Sequence, residues 1–400
     1  MSYKDIYNEW IESSYFDEDT KDELRGIADD EKEIKERFYK SLEFGTGGLR
    51  GIIGAGTNRM NVYTVRKATR GICRYIDRKF GEEGKNRGVV IAHDSRRMSR
   101  EFCEEAAATL AAYGIKAFVF DSLRATPMLS FAIRYLNCQM GIVITASHNP
   151  KEYNGYKVYG SYGGQICVDE ANEIIDEVNS IESLGDIKVG SFDSYLESGM
   201  ITVLDDDVDN AFNEAVLSQV RDKKMVSENG DKLRIIYTPI HGTGNVPVRR
   251  AIKDAVVASL IISEAALYYK LKGMTLYDAL MEIYDKFGYY KEALKSITLK
   301  GIDGVEKIAE IMKSFRNDDI SSIAGVKVDR KLDYKEGIDG LPKSDVLKFV
   351  LDDKSWIAVR PSGTEPKIKF YFGVCGDSNE ASDNKIEALI RDIEERIDSI

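Results

Sequence analysis

Along residues 1–42, apolar side chains recur at helical spacing among charged ones. The stretches "MSYKDIYNEWIESSYF" and "DEDTKDELRGIADDEKEIKERFYKSL" are therefore predicted helices. The periodicity stops at "EFGTGGLRGIIGAGTNRMN", residues 43–61, which holds six glycines in nineteen positions. A helix resumes at "VYTVRKATRGICRYIDRKFG". Continuous apolar runs then alternate with helical segments. "RGVVIAHDSRRMSREFCEEAAATLAAYG" reads as a buried strand, a polar turn and a helix starting near Ser99. "IKAFVFDSLRATPMLSFAIRYLN" repeats the plan, and "CQMGIVITASHNP" supplies a third strand. Strands alternating with helices predict a mostly parallel sheet covered on both faces, with ligands outside the carboxyl ends of the strands. The turns from His93 to Arg97 and from Thr145 to Pro150 fall at those ends.

A second unit opens near Asp205. "LRIIYTPI", residues 233–240, reads as a strand, followed by the loop "HGTG" and one long apolar helix over 248–272. No parallel partner for that strand appears before the next helix, "TLYDALMEIYDKFGYY". The last unit, from about residue 317, holds several short strands. It closes on an amphipathic helix with Ile386, Leu389, Ile390, Ile393 and Ile397 on one face. The pattern predicts an α/β, multi-domain chain with mixed, mostly parallel sheets covered by helices, and a C-terminal α+β domain.

Composition narrows the function. At 400 residues and 43% hydrophobic, the chain is long enough for several packed domains. A net charge of −11 argues against a nucleic-acid partner, while leaving room for local cationic pockets that take a small anion. The five cysteines form no CxxC pair, so neither a zinc site nor a disulfide framework is indicated. The acidic start lacks the apolar core of a signal peptide, and no apolar run approaches a membrane span. A cytoplasmic protein without a membrane partner is the expectation.

Four polar loops carry candidate chemistry. In "TASHNPKEYNGYK", Ser147 and His148 follow a buried run. The stretch is either a polar loop capping a core strand or the carrier of a phosphoryl group on Ser147. In "RPSGTEPK", Arg360 is a fork suited to phosphate, and Ser362, Gly363 and Thr364 supply hydroxyls and close backbone N–H groups. A tight turn between two strands is the other reading. "GTGGLRG" allows close backbone approach and presents Arg50, or is a linker. "TPIHGTG" carries His241 but lacks the lysine of a P-loop, and reads as a turn. "DDDVD", residues 205–209, leads straight into "NAFNEAVLSQV" and reads as an acidic helix N-terminus.

Together these loops resemble the α-D-phosphohexomutases, the phosphoglucomutase and phosphomannomutase family. "TASHNPKEYNGYK" resembles its phosphoserine loop and "RPSGTEPK" its phosphate-binding loop. "EFGTGGLRG" after some forty helical residues resembles the longer bacterial phosphoglucomutases, related to phosphopentomutases. The resemblance implies that Ser147 is the phosphoserine, with His148 beside it in the catalytic loop. It also implies that Lys157 and Arg50 handle protons and charge, and that Arg360, Ser362, Gly363 and Thr364 clamp the non-reacting phosphate. The implied partner is a small phosphosugar, glucose 1-phosphate or glucose 6-phosphate. The implied cofactors are Mg²⁺ on the Ser147 phosphate and glucose 1,6-bisphosphate as activator and intermediate.

The sequence departs from the family at two places. Neither a metal loop resembling DGDGDR nor a sugar loop resembling EESxG is present. At Ala251 to Asp254 the start of a second domain runs into the latter part of a third. The expected organisation is a helical extension (1–42), a phosphoserine domain (43–204), fragments of a second (205–252) and third (253–316) domain, and a C-terminal phosphate-binding domain (317–400). Two activities stay open: a phosphosugar mutase, and a catalytically inactive, internally deleted remnant that binds phosphosugars.

Overall fold

The computed structural model describes residues 2–400 apart from 46, 230–231, 233, 235, 249–256, 300–301, 339, 342 and 363–366. The chain divides into two compact units, residues 1–264 and 265–400.

The first unit opens with three helices, α1 (Tyr3–Glu12), α2 (Glu18–Arg25) and α3 (Glu31–Phe38). The second predicted helix is thus split. Its chain leaves the helix at Gly26, and Asp30 caps a new start through the Glu33 N–H. An aromatic cluster holds the three together: Trp10 stacks on Phe16 at 4.2 Å, and both pack against Tyr63.

Next comes a six-stranded sheet. Its strands are β1 (Gly48–Ile52), β2 (Val89–His93), β3 (Ala117–Phe120), β4 (Met140–Ile144), β5 (Tyr153–Gly160) and β6 (Ile201–Leu204), in the order β1-β5-β4-β2-β3-β6. Strands β4, β2, β3 and β6 are parallel, while β5 and β1 add an antiparallel edge. The unbroken apolar run of β2 is explained by cover on both faces. Val89 and Ile91 join a core with α4 (Val62–Arg87), α5 (Ser99–Ala112) and α7 (Val168–Asn179). Val90 and Ala92 face α6 (Thr126–Tyr135) and Val208 of α9 (Asp206–Leu217). Asp205 caps α9, so the acidic run is a helix start. The short helix α8 (Phe192–Glu197) precedes β6, and α10 (Lys223–Asn229) follows α9.

The glycine-rich stretch contains a strand, β1, because Gly48 adopts φ 131° and a Cβ there would lie 1.8 Å from the Tyr156 carbonyl oxygen. Only glycine lets β1 approach β5 this closely. Conversely, the strand expected over 233–240 is not formed among the described residues: 236–239 are irregular, and Ile236 is 96% exposed. A strand without a neighbour has no ladder for its backbone groups, and water serves them instead.

Helix α11 (Val257–Leu271) runs across the division between the units. On this helix Ile262 is exposed and Leu267 is buried; the side chains of Leu260 and Ile261 lie outside the described residues. The second unit continues with α12 (Leu276–Phe287), β7 (Tyr289–Thr298) and α13 (Ile302–Asn317). Five more strands follow: β8 (Ser322–Ile323), β9 (Val326–Asp333), β10 (Leu347–Leu351), β11 (Trp356–Pro361) and β12 (Lys367–Gly376). They form a wholly antiparallel sheet in the order β7-β12-β11-β10-β9-β8. Helix α14 (Asn379–Asp398) buries Ile386, Leu389 and Ile393 against it, beside Phe315 of α13.

Candidate active site

Strand β4 ends at Ile144 and delivers Thr145, Ala146 and Ser147 at the carboxyl edge of the parallel strands. Thr145 and Ala146 are buried, whereas Ser147 and His148 are exposed. Ser147 sits at φ 57°, a left-handed backbone that costs a serine roughly 1–3 kcal/mol and persists only where neighbours impose it.

The neighbours are identifiable. The Arg96 guanidinium donates to four carbonyls of this segment. Nη2 reaches those of Ser147 (2.9 Å) and Asn149 (2.7 Å), and Nη1 those of Pro150 (2.9 Å) and Tyr153 (3.0 Å). Asp94 ties the arrangement down from below. Its carboxylate accepts from the Arg96 N–H at 3.0 Å, from Ser99 Oγ at 2.8 Å and from Thr145 Oγ1 at 2.6 Å. Thr145 Oγ1 in turn accepts the Ser147 N–H at 2.9 Å. Ser147 Oγ is left at the surface, 3.3 Å from His148 Nδ1.

Strand β5 closes the other side. Its Asn154-Gly155 pair lies inside the strand. Buried Asn154 donates to the Arg97 carbonyl and Ser99 Oγ. A Cβ at Gly155 would come within 2.6 Å of the Thr145 carbonyl oxygen. The β1–β5 register sets Arg50 opposite Gly155 and Lys157 opposite Gly48. Arg50 Nη1 reaches Asn149 Oδ1 at 3.4 Å. Burial pushes the pKa of Lys157 below its ordinary value, the Arg50 charge pushes it further, and Asp94 partly opposes both. Ser147, His148, Arg50 and Lys157 thus gather within one unit, with Arg96 and Asp94 added to the set. The loop of residues 238–244 meets it where Ser95 Oγ donates to the His241 carbonyl.

The second phosphate loop lies in the other unit. Arg360 is exposed near the end of β11, where it pairs with Lys369 of β12. The Ser362 N–H donates to the Lys367 carbonyl at 2.7 Å. Gly363 and Thr364 lie outside the described residues.

The donors around Ser147 do not fit a divalent metal. Both Asp94 oxygens are engaged by Thr145, Ser99 and Arg96. Among the described residues, no three His, Cys, Asp or Glu side chains converge. Arg50, Arg96 and Lys157 make a set suited to an anion instead.

A doubly covered sheet here presents a clamped serine among cations, an α/β arrangement suited to an anionic phosphate group. The family model for Phosphoglucomutase/phosphomannomutase, alpha/beta/alpha domain I, matches residues 41–185, and that for the C-terminal domain matches residues 300–391. The chain belongs to this α-D-phosphohexomutase family. It is similar to a phosphoglucomutase of Staphylococcus saprophyticus, 26% identical over 519 residues covering 86% of this chain and 92% of that one. A phosphoglucomutase of Staphylococcus aureus is 28% identical over 529 residues, covering 90% and 94%. Among solved structures, a putative phosphomannomutase from Thermus thermophilus aligns with a TM-score of 0.53 at 16% identity, covering 90% of this chain and 99% of that one. Parafusin from Paramecium, a phosphoglucomutase, aligns at 0.52 and 16%, covering 89% and 95%. An alignment of 519 positions cannot be filled by 400 residues. The relative therefore carries a long stretch with no counterpart here.

Proposed function

We propose that this chain handles phosphosugars through Ser147, exchanging a phosphoryl group with a hexose phosphate as a phosphosugar mutase does. Ser147 Oγ would form the new O–P bond as the bond from phosphorus to the sugar oxygen breaks. The serine proton leaves, and the sugar oxygen takes one up. Lys157, whose ammonium form is disfavoured by burial and by Arg50, is suited to handle that proton. Arg50 and the backbone held by Arg96 meet the charge on the transferring group. Arg360, a planar fork beside Ser362, is suited to the non-reacting phosphate of the sugar. The observation that carries this reading is the four-carbonyl grip of Arg96, which exposes a left-handed serine at a strand's carboxyl end.

A second reading is favoured by the unfilled alignment and by the lack of a metal-binding donor set among the described residues: a remnant that binds phosphosugars, or accepts phosphate on Ser147, without turnover. A coupled assay separates the two, with glucose 1-phosphate, glucose 1,6-bisphosphate and Mg²⁺ supplied. Sustained formation of glucose 6-phosphate supports the mutase. Binding of glucose 1-phosphate without product supports the remnant, and neither binding nor product overturns both.

A further inference from the structure

The first unit contains a cavity of about 420 Å³ that Ser147 does not use. It lies between the N-terminal helices and the sheet domain. Helix α1 turns one face to it through Ile6, Glu9, Trp10 and Ser13, positions spaced as successive turns. Helix α4 does the same through Thr64, Lys67 and Ala68. Leu49 of β1 lines it, while Arg50 next in sequence meets Asn149 of the serine loop, since strand neighbours point to opposite faces.

Half of the wall is apolar or aromatic, with Tyr15, Phe16, Leu42 and Phe44 contributing, and the rest is polar. The size is that of a small-molecule site. The one cation in the lining is Lys67. Its ammonium is half-buried and makes no ion pair or hydrogen bond among the described residues. Burial alone shifts its pKa, downward, and no carboxylate counters it although Glu9 and Glu182 line the same cavity. A half-buried charge without a partner is costly to keep unless something else compensates it. Lys67 offers one positive charge, which matches the acid group of a monoanion placed on it and not a phosphate dianion.

We propose that this cavity is a second ligand site, taking a small organic monoanion with an apolar or aromatic body, its acid group on Lys67. Benzoate is the probe, with benzyl alcohol as the neutral isostere. Ligand-observed NMR on the full chain should show benzoate binding, with benzyl alcohol bound more weakly. Lys67→Met, which keeps the volume of the stem, should weaken benzoate by roughly tenfold or more, the loss of a charge-assisted contact. Lys67→Arg should restore it. Circular dichroism and Ser147 phosphorylation serve as controls that the variants fold and that the serine site is untouched. No benzoate binding to the unaltered chain, or equal binding by the folded Lys67→Met variant, overturns the proposal.

Discussion

Arg96 Nη2 lies 2.9 Å from the carbonyl oxygen of Ser147, fifty-one positions further along the chain. This contact joins the loop after β2 to the loop after β4. It sits at the centre of a grip on four carbonyls. The backbone of the serine is thus held before any substrate arrives, which is how a positioned nucleophile avoids reorganising during transfer.

Replacing Arg96 by Lys keeps the charge and removes the planar fork. One ammonium cannot serve all four carbonyls. Arg96→Lys is expected to destabilise the first unit by roughly 1.5–3 kcal/mol, the worth of about one charge-assisted bond, and to slow phosphorylation of Ser147. Urea titration and time-resolved mass spectrometry check the two effects. Unchanged kinetics would show that the grip does not position the serine.

Much of this site was legible in the sequence, because strands β2, β3 and β4 are continuous apolar runs and their ends bear the polar turns. What was not legible depends on distant partners. Strand β1 hides among glycines, and its reason, the approach of Gly48 to Tyr156, exists only once β5 is alongside. Arg96 reads as one of several surface cations in "HDSRRMSR" until the loop of Ser147 folds over it. Residues 233–240 show the reverse failure. Their β-propensity is real, but propensity without a neighbouring strand makes no sheet among the described residues.

Lys157 makes stability depend on pH. Its folded pKa is lowered, so between the folded value and the ordinary lysine value near 10.4 the unfolded chain binds more protons. The penalty for its charge is fully present below the folded pKa and is relieved as pH rises through it. Lys157→Met should therefore stabilise the protein near neutral pH and lose that advantage toward about pH 10. Denaturant midpoints of both proteins across this range give the answer, and a constant difference would contradict the assignment.

Arg360→Ala should weaken glucose 1-phosphate binding by about 1.5–3 kcal/mol, the loss of a fork-to-phosphate contact. Titration calorimetry measures it. An unchanged dissociation constant would mean that Arg360 does not contact the phosphate.

Arg124 and Asp209 form a bidentate pair, at 2.9 and 2.8 Å, and are only 7% and 3% exposed. The pair pins α9 to the loop before α6. Asp209→Ala strands a buried guanidinium, which keeps Asp121 as a partial partner. A loss of roughly 3 kcal/mol is expected by urea unfolding. A loss within experimental scatter would show that water already serves Arg124.

The central claim is that Ser147 carries the phosphoryl group. Intact mass spectrometry after incubation with glucose 1,6-bisphosphate tests it most directly, followed by peptide mapping and run beside Ser147→Ala. One added phosphoryl group mapping to Ser147, and none in the variant, is the predicted result. An unmodified chain, or the same mass gain in Ser147→Ala, would contradict it.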